Sequence, residues 1–518
     1  MTPLIPKECH KIETETPSTK QANLSRKSTR TNNIMGANTN NNITKTDEIW
    51  EYDEKMKKRD LVVNTITQRS AFSTHQILQE INQAANPSSS PPGTGRSKVE
   101  ATVLSGGYTN YSYKIFVPDH PHLCLFAKLT FERAVWNDDK DALYDLQRTV
   151  NEYELMETFS KIKPDCVVAP LALWDVEHEG KKMKLFVTEW SKADEQFSNQ
   201  FIDGFIDPRI APKVANALAA IHSMKDYDPR FNEQVKPYID TSFQHLRSSI
   251  EGACVKCKPQ DRTEQYCAMG STDLLKIVDA NHADFYKRDC LIHSDSHAFN
   301  ILVEAKPDEQ DLDLFAPDGT VVICDWEMAM VGPHGRDCGL VLSWPLACMV
   351  AHALNNTESN ANIQIRHFIE TFLICYLSEM SSGRTAEEIA HIYRRCFGWA
   401  GWFMVAAFYL QDGFIGEAPG AENKKTREYI RDSMGLLGLK LLRLCYDTEY
   451  CPESTNLTEL TLLFNTLVDE ELTRACAVVS STPKRRMQPR KSSLLRISNR
   501  RVSDADIIVN RSVTSSQV

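Results

Sequence analysis

Two stretches of sequence decide the fold: Leu-Ile-His293-Ser-Asp295-Ser-His-Ala-Phe-Asn300-Ile-Leu-Val (residues 291–303) and, after a short gap, Val-Val-Ile-Cys-Asp325-Trp-Glu327 (residues 321–327). In both, an apolar run meets acidic residues, which predicts a catalytic loop and a metal-binding loop held side by side on rigid strands. An Asp followed five positions later by Asn, with a second Asp beyond a β-hairpin, supplies one carboxylate to orient an attacking hydroxyl and two oxygen ligands for Mg²⁺ on ATP. The spacing therefore indicates a phosphoryl-transfer site.

Each polar residue of this pair of loops has a predicted role. Asp295 is the predicted catalytic base or, more conservatively, the carboxylate that orients the substrate hydroxyl. The second role is sufficient because phosphoryl transfer through a loose transition state depends mainly on how the reacting groups are positioned. His293 belongs to the same catalytic loop, where we expect it to fix the loop by hydrogen bonds and not to accept a proton. Asn300 and Asp325 are predicted Mg²⁺ ligands, and Glu327 is predicted to hold a second ion or a metal-bound water. The alternative is that both loops are ordinary polar loops on a structural hairpin. That alternative does not explain why four oxygen-bearing residues have the spacing of a kinase-like site.

A glycine turn near the start of the core predicts a flap over phosphates. Residues 99–117 alternate apolar and polar side chains around Ser-Gly106-Gly107-Tyr-Thr-Asn110, which indicates a strand, a turn and a second strand. Backbone N–H groups at such a turn can approach phosphates without interference from a Cβ atom, so these three residues are predicted to bind nucleotide. Lys128 follows an apolar strand and would project into the same cleft. An ordinary hairpin turn and a solvent-exposed lysine are the alternatives.

The order and spacing of these residues resemble the catalytic core of small-molecule kinases with the protein-kinase-like fold, the aminoglycoside phosphotransferase and choline kinase superfamily. The resemblance implies an α+β, bilobal protein-kinase-like fold with a small antiparallel-sheet N-lobe (residues 97–190) and a larger, mainly helical C-lobe (residues 191–477). It also implies ATP and Mg²⁺ as cofactors and a small molecule with a hydroxyl group as the acceptor.

The resemblance also assigns residues around the nucleotide. Lys128 stands where the kinase fold keeps its phosphate-binding lysine. Glu152 occupies the position of the family's helix glutamate and is the predicted partner of Lys128, with Glu154 as the second choice. Glu189 ends an apolar strand at the place of the hinge between lobes, where backbone groups contact adenine.

The sequence after Asp325 looks like the Asp-Pro-Glu, Gly-Pro-x-Gly-x-Asp-x-Gly segment of methylthioribose kinases, and the resemblance extends from about Val99 to Leu439. Two departures matter. The family's substrate-side helix carries an Arg pair where this chain has Ala406 and Ala407. The family usually lacks the asparagine that this chain has at Asn300, which choline kinases and aminoglycoside phosphotransferases keep.

Aromatic residues are the candidates for the acceptor side. Without the two arginines, the pocket would be lined by Trp344, Trp399, Trp402 and Phe403, whose faces suit an apolar or cationic group. Methylthioribose-like sugars, which the motif favours, and choline- or ethanolamine-like amino alcohols both remain open, and any one of these tryptophans could instead belong to the core. A pseudokinase or interaction scaffold is the alternative of another class, and the presence of the complete set of catalytic residue types disfavours it.

Composition limits the other possibilities. A net charge of −10 on 518 residues argues against a nucleic-acid-binding body. Fifteen cysteines behind an N-terminus without an apolar leader are read as reduced thiols, which predicts a cytoplasmic protein. The longest apolar stretch, residues 397–410, is too short to span a bilayer, so no transmembrane segment is predicted.

The two ends differ from the core in composition. Residues 1–70 are predicted to be a disordered tail, because at least the first 45 are rich in Asn, Thr, Ser and Lys without an apolar period. Residues 46–86 look partly helical, and residues 71–96 are predicted to be a helix and linker. Residues 478–518 are predicted to be a basic, disordered tail. Serines behind basic residues there, such as Ser503, are candidate sites for a regulatory kinase.

Overall fold

The structure is a computed structural model that describes residues 45–86, 98–104, 110–132, 145–193, 195–224, 244, 247, 271–304, 320–355, 360–410 and 414–481. Gly106 and Gly107 of the predicted flap lie outside the described residues, as do residues 482–518 of the predicted basic tail. The chain divides into residues 1–57 and residues 58–518. In the first unit the described part is the beginning of helix α1 (Lys45–Ser70). The second unit contains all the other elements.

The N-lobe is built on a five-stranded antiparallel sheet with the order β1-β2-β3-β5-β4. Its elements are β1 (Glu100–Val103), β2 (Asn110–Val117), β3 (His120–Phe131), helix α3 (Gln147–Ile162), β4 (Pro170–His178) and β5 (Lys181–Glu189). Strand β2 alternates buried and half-buried side chains, as expected for a strand with one face on a core.

Residues 58–70 are helical, where the sequence analysis predicted a disordered tail. Val62 and Ile66 of α1 are fully buried and share one apolar cluster with the sheet and with Leu78 and Ile81 of helix α2 (Gln76–Ala85). These residues are spaced four and three apart, so each pair lies on one helical face. A mostly polar segment therefore folds because two of its side chains complete the N-lobe core.

The C-lobe is mainly helical around short strands that carry the site. Its strands are β6 (Glu195–Gln196), β7 (Cys290–Ile292), β8 (Ile301–Val303), β9 (Val321–Ile323) and β10 (Met330–Gly332). Its α-helices are α4 (Ser198–Asp203), α5 (Ile210–His222), α6 (Ser271–Phe285), α7 (Gly335–Leu354), α8 (Asn360–Met380), α9 (Ala386–Phe403), α10 (Lys424–Tyr446) and α11 (Leu457–Ser481). A π-helical turn, Met404–Leu410, continues α9.

Helices α7 and α9 form the centre of the C-lobe and pack with almost no space between their backbones. A Cβ atom at Gly339 of α7 would lie 2.4 Å from the backbone nitrogen of Ala400 in α9, so only glycine allows this approach. Among the described residues, α7 alone is long and apolar enough to cross a membrane, and nearly all of it is buried inside the lobe. The predicted bilobal α+β fold is confirmed by this antiparallel N-lobe sheet and helical C-lobe.

Candidate active site

The two predicted loops lie side by side because the strands that carry them pair. Strands β8 and β9 are antiparallel, with Ile301 opposite Ile323. This register places Asn300, just before β8, against Cys324, just after β9, and the backbone N–H of Cys324 donates to the carbonyl of Asn300 at 3.0 Å. Asp325 follows directly in a left-handed backbone conformation (φ 66°), which turns the chain away from the strand.

Asp337, in the first turn of α7, holds the catalytic loop in place. Its two carboxylate oxygens accept the backbone N–H groups of His293 and Ser294, each at 2.7 Å. Ser294 has a positive φ of 70°, a strained conformation that needs such support. His222, at the end of α5, donates to Asp337 at 3.0 Å. Burial acts to raise the pKa of Asp337, but the donors from His222 and the loop hold this pKa below its usual range.

His293 uses both ring nitrogens within the loop. Its Nδ1 accepts the backbone N–H of Asp295 at 3.2 Å, and its Nε2 donates to the carbonyl of Cys324 at 3.1 Å. The side chain is fully buried, and burial lowers its pKa. A neutral ring with both nitrogens occupied fixes the loop and is not placed to take a proton, as the sequence analysis expected.

Asp295 lies at the mouth of the loop next to Asn300. The Asn300 amide donates to the Asp295 carboxylate at 3.0 Å and to its backbone carbonyl at 2.9 Å, which fixes the carboxylate's direction. A third of the Asp295 side chain, 33%, remains accessible to solvent. Burial and the nearby carboxylate of Asp325 raise the pKa of Asp295 well above its usual range.

Lys128 reaches three carboxylates from β3. Its ammonium group lies 2.9 Å from Glu152, 2.6 Å from Asp325 and 3.3 Å from Glu327. Burial disfavours the charged lysine, but the three carboxylates outweigh burial and raise its pKa well above the usual value. The structure thus places Lys128 against Glu152, the partner that the sequence analysis chose.

The same carboxylates form a donor set that suits Mg²⁺. Glu152, Asp325 and Glu327 present oxygen atoms that all lie within 4.8 Å of one another. Arg148 also lies 3.2 Å from Glu327, so when all three carboxylates are ionised they exceed the charges of Lys128 and Arg148 by one. This excess favours a further cation, and Mg²⁺ prefers oxygen ligands. Two of the predicted metal ligands, Asp325 and Glu327, belong to this set. Asn300, the third predicted ligand, lies on the Asp295 side of the site with its amide nitrogen turned to that carboxylate.

Asn110 is the predicted flap residue that the structure describes, at the start of β2, and its nucleotide role, which was assigned to backbone N–H groups, stays a prediction. Its side chain is buried, its amide donates to Glu327 at 2.9 Å, and its carbonyl accepts from Arg148 at 3.3 Å. Arg148 in turn donates to Glu327 at 3.2 Å. The Asn110 amide nitrogen therefore bonds Glu327 directly, and its carbonyl oxygen bonds Arg148, the other donor to Glu327. Sequence reasoning missed Arg148, although it lies four residues before Glu152 and so on the same face of α3.

Glu189 ends β5 at the junction of the lobes, as predicted, and its side chain is exposed. Its backbone pairs with Leu125 of β3, and its carbonyl accepts the Thr188 hydroxyl at 2.9 Å. The next residue, Trp190, donates its backbone N–H to Cys124 at 3.0 Å. The described contacts of Glu189 are thus backbone contacts.

The three tryptophans predicted for the acceptor pocket belong to the C-lobe core. Trp344 and Trp399 are fully buried, and their indole N–H groups donate to the Ser198 carbonyl at 3.3 Å and to Asp284 at 3.0 Å. Trp402 is 7% exposed and stacks against the guanidinium group of Arg336. All three rings therefore lie in the interior of the C-lobe, Trp344 on α7 and the other two on the buried end of α9, which is the alternative that the sequence analysis kept open.

Other aromatic side chains stand beside Asp295. His297 Nε2 lies 3.5 Å from the Asp295 carboxylate, and the His297 ring contacts Phe299 and Phe414. Sequence reasoning missed these three, because Phe414 is more than a hundred residues from the loop and only the tertiary fold joins them. Ala406 and Ala407 lie half-buried in the π-helical turn.

Residues 100–357 match the family described as "Phosphotransferase enzyme family". No curated protein matches the chain. Among solved structures, an aminoglycoside phosphotransferase from Alicyclobacillus acidocaldarius is 13% identical with a TM-score of 0.36, covering 73% of this chain and 91% of its own. A choline kinase from Cryptosporidium parvum is 12% identical with a TM-score of 0.31 (75% and 93% covered). An ADP-bound aminoglycoside phosphotransferase is 13% identical with a TM-score of 0.31 (72% and 99% covered).

Proposed function

We propose that this chain, a phosphotransferase whose residues 100–357 match the phosphotransferase enzyme family, transfers the γ-phosphate of ATP to a hydroxyl group of a small metabolite. The observation that carries the proposal is the juxtaposition of Asp295 and Asn300 with the carboxylates of Asp325 and Glu327 on paired strands. An accessible carboxylate beside an oxygen-rich cation site is what in-line phosphoryl transfer requires of a protein.

Each residue of the site has a distinct role in the proposed transfer. Asp295, oriented by Asn300, accepts a hydrogen bond from the acceptor hydroxyl and aims its oxygen at the phosphate. Lys128, positioned by Glu152, neutralises phosphate charge. Asp325 and Glu327 would hold Mg²⁺, which supplies charge neutralisation at the β- and γ-phosphates when bound. His293 and Asp337 keep the loop in the geometry on which the positioning depends.

The acceptor is proposed from the resemblance of the segment after Asp325, which favours a methylthioribose-like sugar. A choline- or ethanolamine-like amino alcohol is the second candidate, because Asn300 is present and Ala406 and Ala407 stand where methylthioribose kinases carry arginines. The loss of two guanidinium forks weakens the grip on a polyhydroxylated partner. We therefore expect methylthioribose to be phosphorylated poorly relative to a kinase that keeps the arginine pair.

A screen of hydroxylated metabolites tests the proposal. The full-length protein is incubated with ATP and Mg²⁺, and ADP release is coupled to NADH oxidation with each acceptor in turn. We expect ADP release to depend on one class of acceptor and to be abolished in Asp295→Ala. ADP release that no acceptor stimulates, or an unchanged rate in Asp295→Ala, would favour the scaffold alternative.

A further inference from the structure

A group of aromatic rings, formed by His297, Phe299, Phe403 and Phe414, borders the catalytic carboxylate. Phe299 and Phe414 are stacked, with centroids 4.4 Å apart and planes at 22°. The His297 ring lies 5.2 Å from Phe414 and 5.9 Å from Phe403, and its Nε2 lies 3.5 Å from Asp295. His297 thus connects the aromatic group to the reacting end of the site.

The backbone beside these rings is unfavourable in two places. Phe414 has a φ of 61°, in the left-handed region that a bulky side chain rarely adopts. The preceding segment, Met404–Leu410, is a π-helical turn, a rare geometry that is frequent at functional sites. A residue in such a conformation is strained and persists where the surroundings over-determine it. The strained backbone at Phe414 is therefore the conformation in which its ring stacks on Phe299.

The group is part buried and part accessible. Phe299 and Phe414 are both half-buried, whereas Trp344, whose ring centroid is 4.8 Å from that of Phe299, is fully buried and backs the pair. The His297 side chain is 10% exposed, and burial lowers its pKa to about 3, so its ring stays uncharged. The surface next to Asp295 thus offers aromatic faces and a neutral imidazole.

We infer that Phe299 and Phe414 determine acceptor specificity by packing against a methyl-bearing substituent of the acceptor while its hydroxyl group lies at Asp295. The inference rests on the proposed function and deepens it. The shared chemistry is a methyl group carried by a thioether or by a quaternary ammonium, since both pack favourably on aromatic faces. One methyl or methylene group in an apolar pocket changes kcat/KM by about 10- to 200-fold. The inference therefore predicts discrimination against the same hydroxyl compound without that group.

The test compares two acceptor pairs, methylthioribose with ribose and choline with ethanolamine, using the full-length protein with ATP and Mg²⁺. In the wild type we expect kcat/KM for the methyl-bearing member of at least one pair to exceed that of its partner by about 10-fold or more. In Phe414→Gly, which keeps the left-handed backbone and removes the ring, this ratio should fall by about 5-fold or more, with a smaller change for the unmethylated member. Phe299→Leu, which fills the site without an aromatic face, should lower the ratio too if Phe414→Gly fails to fold.

Tyr286→Leu serves as the matched control, because this partly exposed tyrosine makes its ring contacts with His282 and Phe285, at the end of α6. Its acceptor ratio should equal that of the wild type. A wild-type ratio near one in both pairs, or equal losses for both members in Phe414→Gly and Phe299→Leu, would overturn the specificity role and leave the kinase function standing. If the wild type phosphorylates none of the four acceptors, the proposed acceptor classes are wrong, and this inference is overturned with them.

Discussion

Replacing Arg148 by methionine tests whether a buried ionic network around Glu327, at the proposed metal site, stabilises the fold. Arg148 is 5% exposed and donates to Glu327 at 3.2 Å and to Asn110 at 3.3 Å. Methionine keeps an unbranched stem of similar length and removes the guanidinium group. The variant therefore leaves the Glu327 carboxylate, which is 6% exposed, with one cation fewer.

The expected loss of stability in Arg148→Met depends on which groups still contact Glu327. Removing one partner of a buried ion pair costs about 3–5 kcal/mol, because the other charge stays buried without its partner. Lys128 still lies 3.3 Å from the same Glu327 oxygen and Asn110 still donates to it, so the loss should fall at the lower end, about 3 kcal/mol. A loss of this size changes the folding equilibrium by more than about 100-fold.

Urea unfolding followed by tryptophan fluorescence measures the loss. Lys161→Met, in the same helix α3, is the matched control, because its pair with Glu157 is exposed and is worth about 0.3–0.5 kcal/mol. A double-mutant cycle with Glu327→Gln should show coupling of about 1 kcal/mol or more between the two residues. An Arg148→Met variant as stable as the control, or a cycle without coupling, would refute the network.

Three further predictions follow from burial and hydrogen bonding. Deleting residues 1–70 should lower the melting temperature clearly more than deleting residues 1–57, because only the longer deletion removes two fully buried side chains of α1; equal melting temperatures would contradict the N-lobe packing. Burial raises the pKa of Glu152 to about 7 from 4.5, so the folded state binds this proton more tightly and the free energy of unfolding should fall as pH rises between those values. In Glu152→Gln, the free energy of unfolding measured by urea titration should no longer show this decrease with pH. A pH profile equal to that of the wild type would contradict the raised pKa of Glu152. Asp337→Asn should lower kcat by about 100-fold with little change in the KM for ATP, since it loosens the loop and not the nucleotide site; a change in KM alone would contradict that role.

The pair of loops could be predicted because its signal is local. Strand-like runs that meet polar residues constrain where Asp295 and Asp325 can lie, and a hairpin register needs no long-range information. Lys128 and Glu152 could be paired because the resemblance to the kinase superfamily assigns both positions, and the bilobal fold was predicted from the same resemblance.

The rest depends on contacts between distant residues. Asn110 and Glu327 are 217 positions apart, so the flap sequence alone could not show that the Asn110 side chain donates to this carboxylate. Trp399 was misassigned because residues 396–403 of α9 form an unbroken apolar run, whose period does not distinguish a residue that lines a pocket from one that fills the core. The helix over residues 58–70 was missed because its two buried side chains have meaning only against the sheet that they cover.

Transfer of label from γ-labelled ATP to an acceptor, measured in the wild type, Asp295→Ala and Asp325→Ala, tests the central claim most directly. If Asp295 positions the acceptor hydroxyl and Asp325 holds the metal, Asp295→Ala should lower kcat by about 10²–10⁴-fold with nearly unchanged nucleotide affinity. Asp325→Ala should also weaken binding of Mg·ATP. Turnover of Asp295→Ala near that of the wild type would contradict the account.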